Sequence, residues 1–485
     1  MKFLYLILIL LYSANAFCAN GGDTIQLSLK DVVEMAKGNS IAAKQAITTR
    51  ETKYWQWRNY KSNYQPQLSL NGNLPGYSKT DIQVLQPNGT ILFQPVHNDN
   101  SELTLNFSQS ITATGATIYG MTQLQRFDDF DRNTVLYNGV PYAIGFSQPL
   151  GQYNSLKWDK KIQPLLYNES KQAYIEAQEQ IAITATGYFF DLLLAQVNLQ
   201  ISETNYTNTQ SILKIANTKF ELGKVSKNEI LQLQLELLNA KKAVGIAKRD
   251  KEIASLTLRS YISQEDDSHI ALVVPETISN MSVSADKVLK EAYANRSDAI
   301  AFVRRVAEAK RDVAIARGQT GLTASLTANL GSANTASNIL GVYKSPQNQQ
   351  LLELTFSIPV LDWGRSKSKI KTAEANEQFT EYAVEQDEQT FKQQIVTQVT
   401  LFDQMKEQVG LTAEADSIAG EKYEIAKQRY VLGNLSITDL SIAFQENDQA
   451  KRDYVAALRD FWGAYYQLRY LSLYDFENNE KINYK

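Results

Sequence analysis

The sequence predicts an α+β protein built from one unit used twice, in which short strands feed helices far longer than a globular domain employs. The first observation behind this is duplication. Phe146-Ser147-Gln148-Pro149-Leu150 returns as Phe356-Ser357-Ile358-Pro359-Val360, and Phe220-Glu221-Leu222-Gly223-Lys224-Val225-Ser226 returns as Tyr430-Val431-Leu432-Gly433-Asn434-Leu435-Ser436, each about 210 residues later. A third echo sets Val32-Val33, Ala36 and Asn39 against Val288-Leu289, Ala292 and Asn295 at an offset of about 256, so the first copy carries roughly 45 extra residues before its Phe-Ser-x-Pro motif. The second observation is alternation of large apolar residues with small or polar ones ahead of each proline. The third is the pair of proline-poor, helix-periodic runs that follow.

In chain order, Met1-Lys2-Phe3, an apolar run from Leu4 to Tyr12 and Ser13-Ala14-Asn15-Ala16 have the layout of a cleaved secretory leader spanning 1–19, with cleavage near 16 or 19. Cys18 is the only cysteine, and Asn15, Ala16 and Phe17 before it lack the pattern that precedes a lipidated cysteine; it is expected to be discarded or idle, with lipid attachment as the alternative. Beyond the leader no run of about 18 apolar residues occurs, so a membrane role would have to use strands. The stretch Ala182–Val197 is the most apolar, and Thr184, Thr186, Asp191 and Gln196 interrupt it.

Each copy opens with an interrupted helix, Asp31 to Tyr64 with a break near Gly38-Asn39, and Ala285 to Arg317 with a break at Asn295. Strands follow. Leu68 and Leu70, then Leu103, Leu105 and Phe107, alternate with polar residues; so do Ala324 to Leu330 and Leu352 to Ile358, while Tyr142, Ile144 and Phe146 alternate with Ala143 and Gly145. Such two-faced strands suit either a soluble sandwich or a membrane barrel with a wet lumen. From Ser155 to Phe220 and from Ser366 to Tyr430 the apolar spacing is helical; roughly 70 helical residues span on the order of 100 Å. Both runs stop at Leu-Gly-x-x-Ser. Glycine permits the left-handed turn that ends a helix, and Ser226 or Ser436, with Glu229 or Asp439 three positions on, is placed to cap a shorter return helix over Lys227–Tyr261 or Ile437–Leu471.

This doubled order of helix, strands, very long helix, Leu-Gly turn and return helix resembles the TolC family of outer-membrane efflux and secretion channels. The most specific motifs are the Phe-Ser-x-Pro exits, Asp362-Trp363-Gly364 and the paired Leu-Gly tips. The resemblance covers nearly the whole mature chain, divided as a first repeat over 26–262 with an enlarged segment at 76–141, a linker in the equatorial region over 263–283, a second repeat over 284–474 and a tail over 475–485. It implies a homotrimer, each chain giving four strands to one twelve-stranded barrel in outer-membrane lipid and its helices to a tunnel across the periplasm. A periplasmic adaptor and an inner-membrane transporter are the implied partners. Small-molecule or multidrug efflux is the leading expectation and protein secretion the alternative. The 76–141 segment departs from the pattern: Gln86-Pro87-Asn88-Gly89 reads as a hairpin turn, and Leu103–Ile111 and Ile118–Leu124 as strands that either lengthen external loops or add to the barrel.

The resemblance also nominates residues. Acidic residues six positions after each tip glycine, Glu229 and Asp439, are the expected periplasmic gate, since rings of carboxylates at a constriction favour cations; a carboxylate in a first helical turn also needs no other purpose. Tyr430 matches the family's tip tyrosine, which helps lock the closed state. Leu435 and Ile442 stand where some members carry an arginine and a second aspartate. Leu222, Gly223 and Lys224, with Leu432, Gly433 and Asn434, are the expected adaptor-docking tips. Phe146, Pro149, Tyr153, Phe356, Pro359 and Trp363 mark the strand exit, with Tyr153 and Trp363 either at the bilayer interface or packed at a bend.

Other classes fare poorly. The chain has only His97 and His269, no Cys/His metal spacing, no phosphate loop and no nucleophile elbow, so neither enzyme chemistry nor a cofactor or metal is expected. Asp128, Asp129 and Asp131 with Arg126 and Arg132 read as a solvated charged turn before they read as a Ca²⁺ loop. A net charge of −3 without a basic patch gives nucleic acid no footprint. An exported helical scaffold without a pore explains the long helices but not the strand alternation.

Overall fold

The computed structural model describes residues 24–264, 269–276 and 283–484. The expected leader and Cys18 lie outside the described residues, as does much of the 263–283 segment. The chain forms two compact units, one from Met1–Arg50, Lys171–Arg296 and Thr390–Lys485, the other from Glu51–Ser170 and Ser297–Gln389.

The duplication is visible element by element. In the first unit, strand β1 (Thr24–Leu27) precedes helix α1 (Leu29–Asn39). Ser28 caps α1: its hydroxyl accepts the Asp31 amide while the Asp31 carboxylate accepts the Ser28 amide, which satisfies two otherwise orphaned donors. At Ser40 the backbone turns extended, and the Ser40 hydroxyl restarts the helix by accepting the Ala43 amide, giving α2 (Ile41–Ser62). The first copy continues through the long helix α3 (Ser155–Glu221) and its return α4 (Lys227–Tyr261), and the second copy then repeats the opening with α5 (Ala285–Asn295), capped by Ser284 and broken at Arg296, and α6 (Ser297–Gly318). Val32 and Ala36 of α1 and their counterparts Val288 and Ala292 of α5 are all fully buried.

The remaining helices are α7 (Ile339–Val342), α8 (Arg365–Leu432) and α9 (Ile437–Ser472). In the first unit Phe189, Phe190 and Leu192 of α3, Ile395 and Phe402 of α8 and Leu458, Phe461 and Leu468 of α9 are buried; Phe402 and Phe461 sit 5.4 Å apart. One stretch of α3 is apolar and long enough by composition to cross a membrane, and half of it is buried within the chain. The segment read as a linker carries a strand, β7 (His269–Leu272), which pairs in parallel with β1 and is held by Gln196, whose side chain donates to the Ile270 carbonyl and accepts the Leu272 amide. The tail is also structured: β10 (Tyr474–Asp475) pairs with β11 (Glu480–Lys481), and Phe476 and Ile482 are buried.

The second unit holds one antiparallel sheet. Its strands are β2 (Gln67–Asn73), β3 (Tyr77–Leu85), β4 (Ile91–Ile111), β5 (Ala116–Asp129), β6 (Thr134–Leu150), β8 (Thr323–Ala336) and β9 (Gln347–Ser357). The order across the sheet is β2-β4-β5-β6-β8-β9, with β3 pairing only the Ile91–Asp99 half of β4. Six strands therefore lie side by side, where the family resemblance implied four. The difference comes from β4 and β5, which the extra residues of the first copy supply. The expected turn at 86–89 is present: Gly89 has φ +82° and donates to the Gln86 carbonyl, and Gln86 donates to the Thr90 carbonyl.

Candidate functional site

Directly paired residues share a sheet face, so the register decides which side chains lie together. Leu70 pairs with Leu105; Leu68 with Phe107 and thence Gly120, Ile144 and Leu330. One row further, Ile118 meets Phe146, Ala328 and Leu352, and beyond that Leu326 meets Leu354 and Ala324 meets Phe356. All of these belong to one face, and Leu68, Leu105, Phe107, Ile144, Leu330, Leu352 and Phe356 are exposed on it, with Gln109, Thr122, Gln148 and Gln350 as its polar exceptions. The opposite face carries Ser69, Asn71, Thr104, Asn106, Tyr119, Thr327, Asn329, Glu353 and Thr355, with Met121 and Leu351 as apolar exceptions. A sheet with one mostly apolar face and one mostly polar face is suited to lie between lipid and water. Its outer strands, β2 and β9, are exposed along their whole length.

At one end of the sheet the strands pass into the long helices. Phe146 and Pro149 lie inside β6, and Gly151, at φ +69°, turns the chain where a side chain would strike the Leu322 carbonyl. Tyr153 backs directly onto Gly318, and Asn154 caps α3 by accepting the Lys157 amide. In the second copy Phe356 is in β9, while Ile358, Pro359 and Val360 follow it. Asp362 caps α8 by accepting the Gly364 and Ser366 amides, and Trp363 adopts φ +55°. The two aromatic positions differ. Tyr153 is half-buried and its phenol is pushed up by burial, whereas Trp363 is 89% exposed. Packing at a bend accounts for Tyr153 and leaves the Trp363 ring uncovered.

The tips lie in the first unit and are built alike. After α3, Gly223 (φ +70°) donates to the Phe220 carbonyl and Lys224 to the Lys219 carbonyl; after α8, Gly433 (φ +84°) donates to Tyr430 and Asn434 to Arg429. These are the paired bonds of a glycine-terminated helix. Ser226 and Ser436 then start α4 and α9 by accepting the Glu229 and Asp439 amides at 3.2 Å, and Ser436 also donates to the Asp439 carboxylate at 2.7 Å. The chain packs both tips together: Ala216, Ile230 and Leu233 from one meet Tyr423, Tyr430, Ile437 and Leu440 from the other in a single buried cluster. Leu222 and Leu432 at the apices stay exposed.

Of the three gate candidates, Tyr430 is buried in this cluster, its phenol raised first by burial and then by Glu229 and Glu236. Glu229 is half-buried and Asp439 exposed. A residue missed from sequence ties the tips: Lys219 donates to the Tyr430 carbonyl at 3.1 Å, with its ammonium 5.1 Å from the Tyr430 ring centre. Deeper in the bundle, Asn205 donates to Asp448 at 2.7 Å and Asn208 to the Tyr423 hydroxyl at 2.9 Å, where burial pushes the Tyr423 phenol up to about 12. The separations of these pairs, 243 and 215 residues, hide them from any local signal.

No grouping of three metal-ligating side chains occurs among the described residues. At the β5–β6 turn Asp128 pairs with Arg126, and Asp129 accepts the amides of Asp131 and Arg132.

Residues 288–472 match the family model described as outer membrane efflux protein. No curated protein matches the chain. Among solved structures, the chain is similar to the Campylobacter jejuni CmeC outer membrane channel (17% identity, TM-score 0.62, covering 94% of this chain and 87% of that one). It is also similar to the outer membrane protein VceC of Vibrio cholerae (14%, 0.62, 94% and 97%) and to the open state of the Neisseria gonorrhoeae MtrE outer membrane channel (16%, 0.58, 92% and 88%). The chain therefore has the fold of these outer membrane channels, and its second half carries the signature of outer membrane efflux proteins.

Proposed function

We propose that three copies of this chain enclose a water-filled export duct that receives small molecules from a periplasmic adaptor and an inner-membrane transporter and releases them outside the cell. The observation that carries this is the two-faced sheet with open edges. Unpaired backbone groups in lipid cost several kcal/mol each, and β2 and β9 leave a row of them at either side, so the sheet is complete only when other copies pair with it. The efflux description of the matching family supports small-molecule cargo over secreted protein.

The tips are the periplasmic entrance. In a threefold arrangement Asp439 and Glu229 each become a ring of three carboxylates, which selects cations and sets conductance. Tyr430 and Lys219 hold the hairpin ends in the closed position, and Gly223 and Gly433 let the adaptor's backbone approach closely. The test is single-channel recording in planar bilayers. Asp439→Ala, alone and with Tyr430→Phe, should raise conductance, weaken cation selectivity and admit bulky antibiotics to cells. Unchanged conductance together with unchanged selectivity refutes the gate assignment.

A further inference from the structure

We propose that β4 and β5 belong to the barrel wall, so that three copies close a ring of eighteen strands, six from each chain, in place of the twelve that the family resemblance implies. This rests on the trimeric duct proposed above. Pairing carries the argument furthest. Among the described residues the only partner of β2 is β4, in continuous register from Gln67 opposite Ser108 to Asn73 opposite Glu102, and β6 reaches that side of the sheet only through β5. If the inserted strands hung outside the wall, β2 and β6 would each face lipid without a partner on that side.

The faces agree. Leu103, Leu105 and Phe107 of β4 and Ile118 of β5 fall on the same apolar side as Ile144 and Leu354, and Asn106 and Tyr119 fall on the polar side. An external loop has no reason to maintain that alternation in step with the wall. Height agrees too. The turn between β4 and β5 is anchored where strands pass into helices: Asn154, the cap of α3, donates to the Thr112 carbonyl at 2.9 Å, and Gln148 donates to the Thr114 carbonyl at 3.0 Å. The inserted strands therefore run the full depth of the sheet, and Glu102–Ile111 alone supplies the nine to eleven residues that a membrane strand requires.

Direction closes the ring. Neighbouring strands alternate all the way from β2 to β9, so with an even number per chain the free edge of β9 in one copy meets β2 of the next antiparallel. Barrel diameter grows nearly in proportion to strand number; at ordinary strand spacing and tilt, eighteen strands give about 36 Å between opposite backbones, against about 24 Å for twelve. The outer mouth is then too wide to select cargo, which leaves selection to the tips.

The experiment places single cysteines in a Cys18→Ser background, attaches a spin label and compares its accessibility to oxygen, which partitions into lipid, with that to a water-soluble nickel chelate in liposomes. Phe107→Cys and Ile118→Cys should report lipid as strongly as the references Ile144→Cys and Leu354→Cys, and Asn106→Cys should report water. If positions 107 and 118 report water while 144 and 354 report lipid, the inserted strands are external and the eighteen-stranded ring is overturned. If all four report water, the membrane duct itself falls. Electron microscopy of the unmodified protein in nanodiscs does not depend on any variant folding: a threefold ring near 36 Å supports the proposal, a threefold ring near 24 Å overturns it, and a monomer overturns the reading beneath it.

Discussion

Glu179 offers the most quantitative test of how this chain is held together. Its side chain, on α3, is fully buried, yet it is an anion. It accepts from Lys37 of α1 at 2.8 Å and from Arg469 of α9 at 3.0 Å, and the hydroxyl of Tyr484 in the tail bonds both to it and to Lys37. Burial alone would raise this carboxyl, but Lys37 and Arg469 outweigh burial and hold it below the ordinary glutamate value. Replacing one member of a buried ion pair costs about 3–5 kcal/mol, mostly because the partner's charge is stranded. In Glu179→Gln, Arg469 keeps Asp475 at 2.5 Å, so Lys37 is the charge left without its paired carboxylate. The expected cost is at the low end, about 3 kcal/mol, or a factor near 150 in the folding equilibrium. Adding Lys37→Met removes the stranded charge and should return about 2 kcal/mol of that. The assay is urea unfolding of the detergent-solubilised protein followed by tryptophan fluorescence. Because the folded carboxyl titrates below its unfolded value of 4.5, its stabilisation is complete above that pH and is lost as pH falls through the folded value. Glu179→Gln should therefore flatten the acid limb of the stability curve. A cost under about 1 kcal/mol, or a double variant less stable than the single one, refutes the argument.

Two further predictions follow from the tips and the strand exit. A side chain added at Gly223 meets nothing, and one at Gly433 meets only the end of Lys219 at 4.0 Å, so bulk fits but the left-handed backbone resists it. Gly433→Ala should cost about 1–2 kcal/mol through backbone strain while export persists, whereas Gly223→Trp or Gly433→Trp should assemble and abolish export; drug-susceptibility assays beside heat-modifiable migration on gels separate strain from lost docking, and export surviving both tryptophans sinks the docking surface. Trp363, exposed in the single chain, should be quenched more by lipids brominated near the headgroup than near the bilayer centre, read as the difference between the native protein and Trp363→Phe. Equal quenching at both depths removes it from the interface.

Helix boundaries were legible because their causes are local. A capping serine, a glycine at positive φ and an apolar stripe lie within a few residues of each end, and the return helix read as Lys227–Tyr261 runs over those residues. The glycine tips were legible for the same reason. The strand count was not. Alternation is clean from Leu103 to Ser108, but Pro95, Asn98, Asp99 and Asn100 interrupt the first half of β4, and only the register with β2, β3 and β5 shows a single strand from Ile91 to Ile111. Glu179 was illegible for a different reason. Its partners stand 142, 290 and 305 residues away, and a glutamate amid Gln178, Gln180 and Glu176 reads as a solvated helix face.

The parallel pairing of β1 with β7 has a consequence for biogenesis. Thr24–Leu27 is among the first described segments of the chain, and its partner His269–Leu272 arrives only after the whole first repeat has been made. A polypeptide delivered through a translocation pore with its amino terminus leading carries β1 as an unsatisfied edge for more than half of its passage. Gln196, which fastens β7, is equally idle until then. The first repeat thus cannot close on its own residues. It must be shielded, by chaperones or by its own disorder, until the segment that follows it arrives with the missing strand.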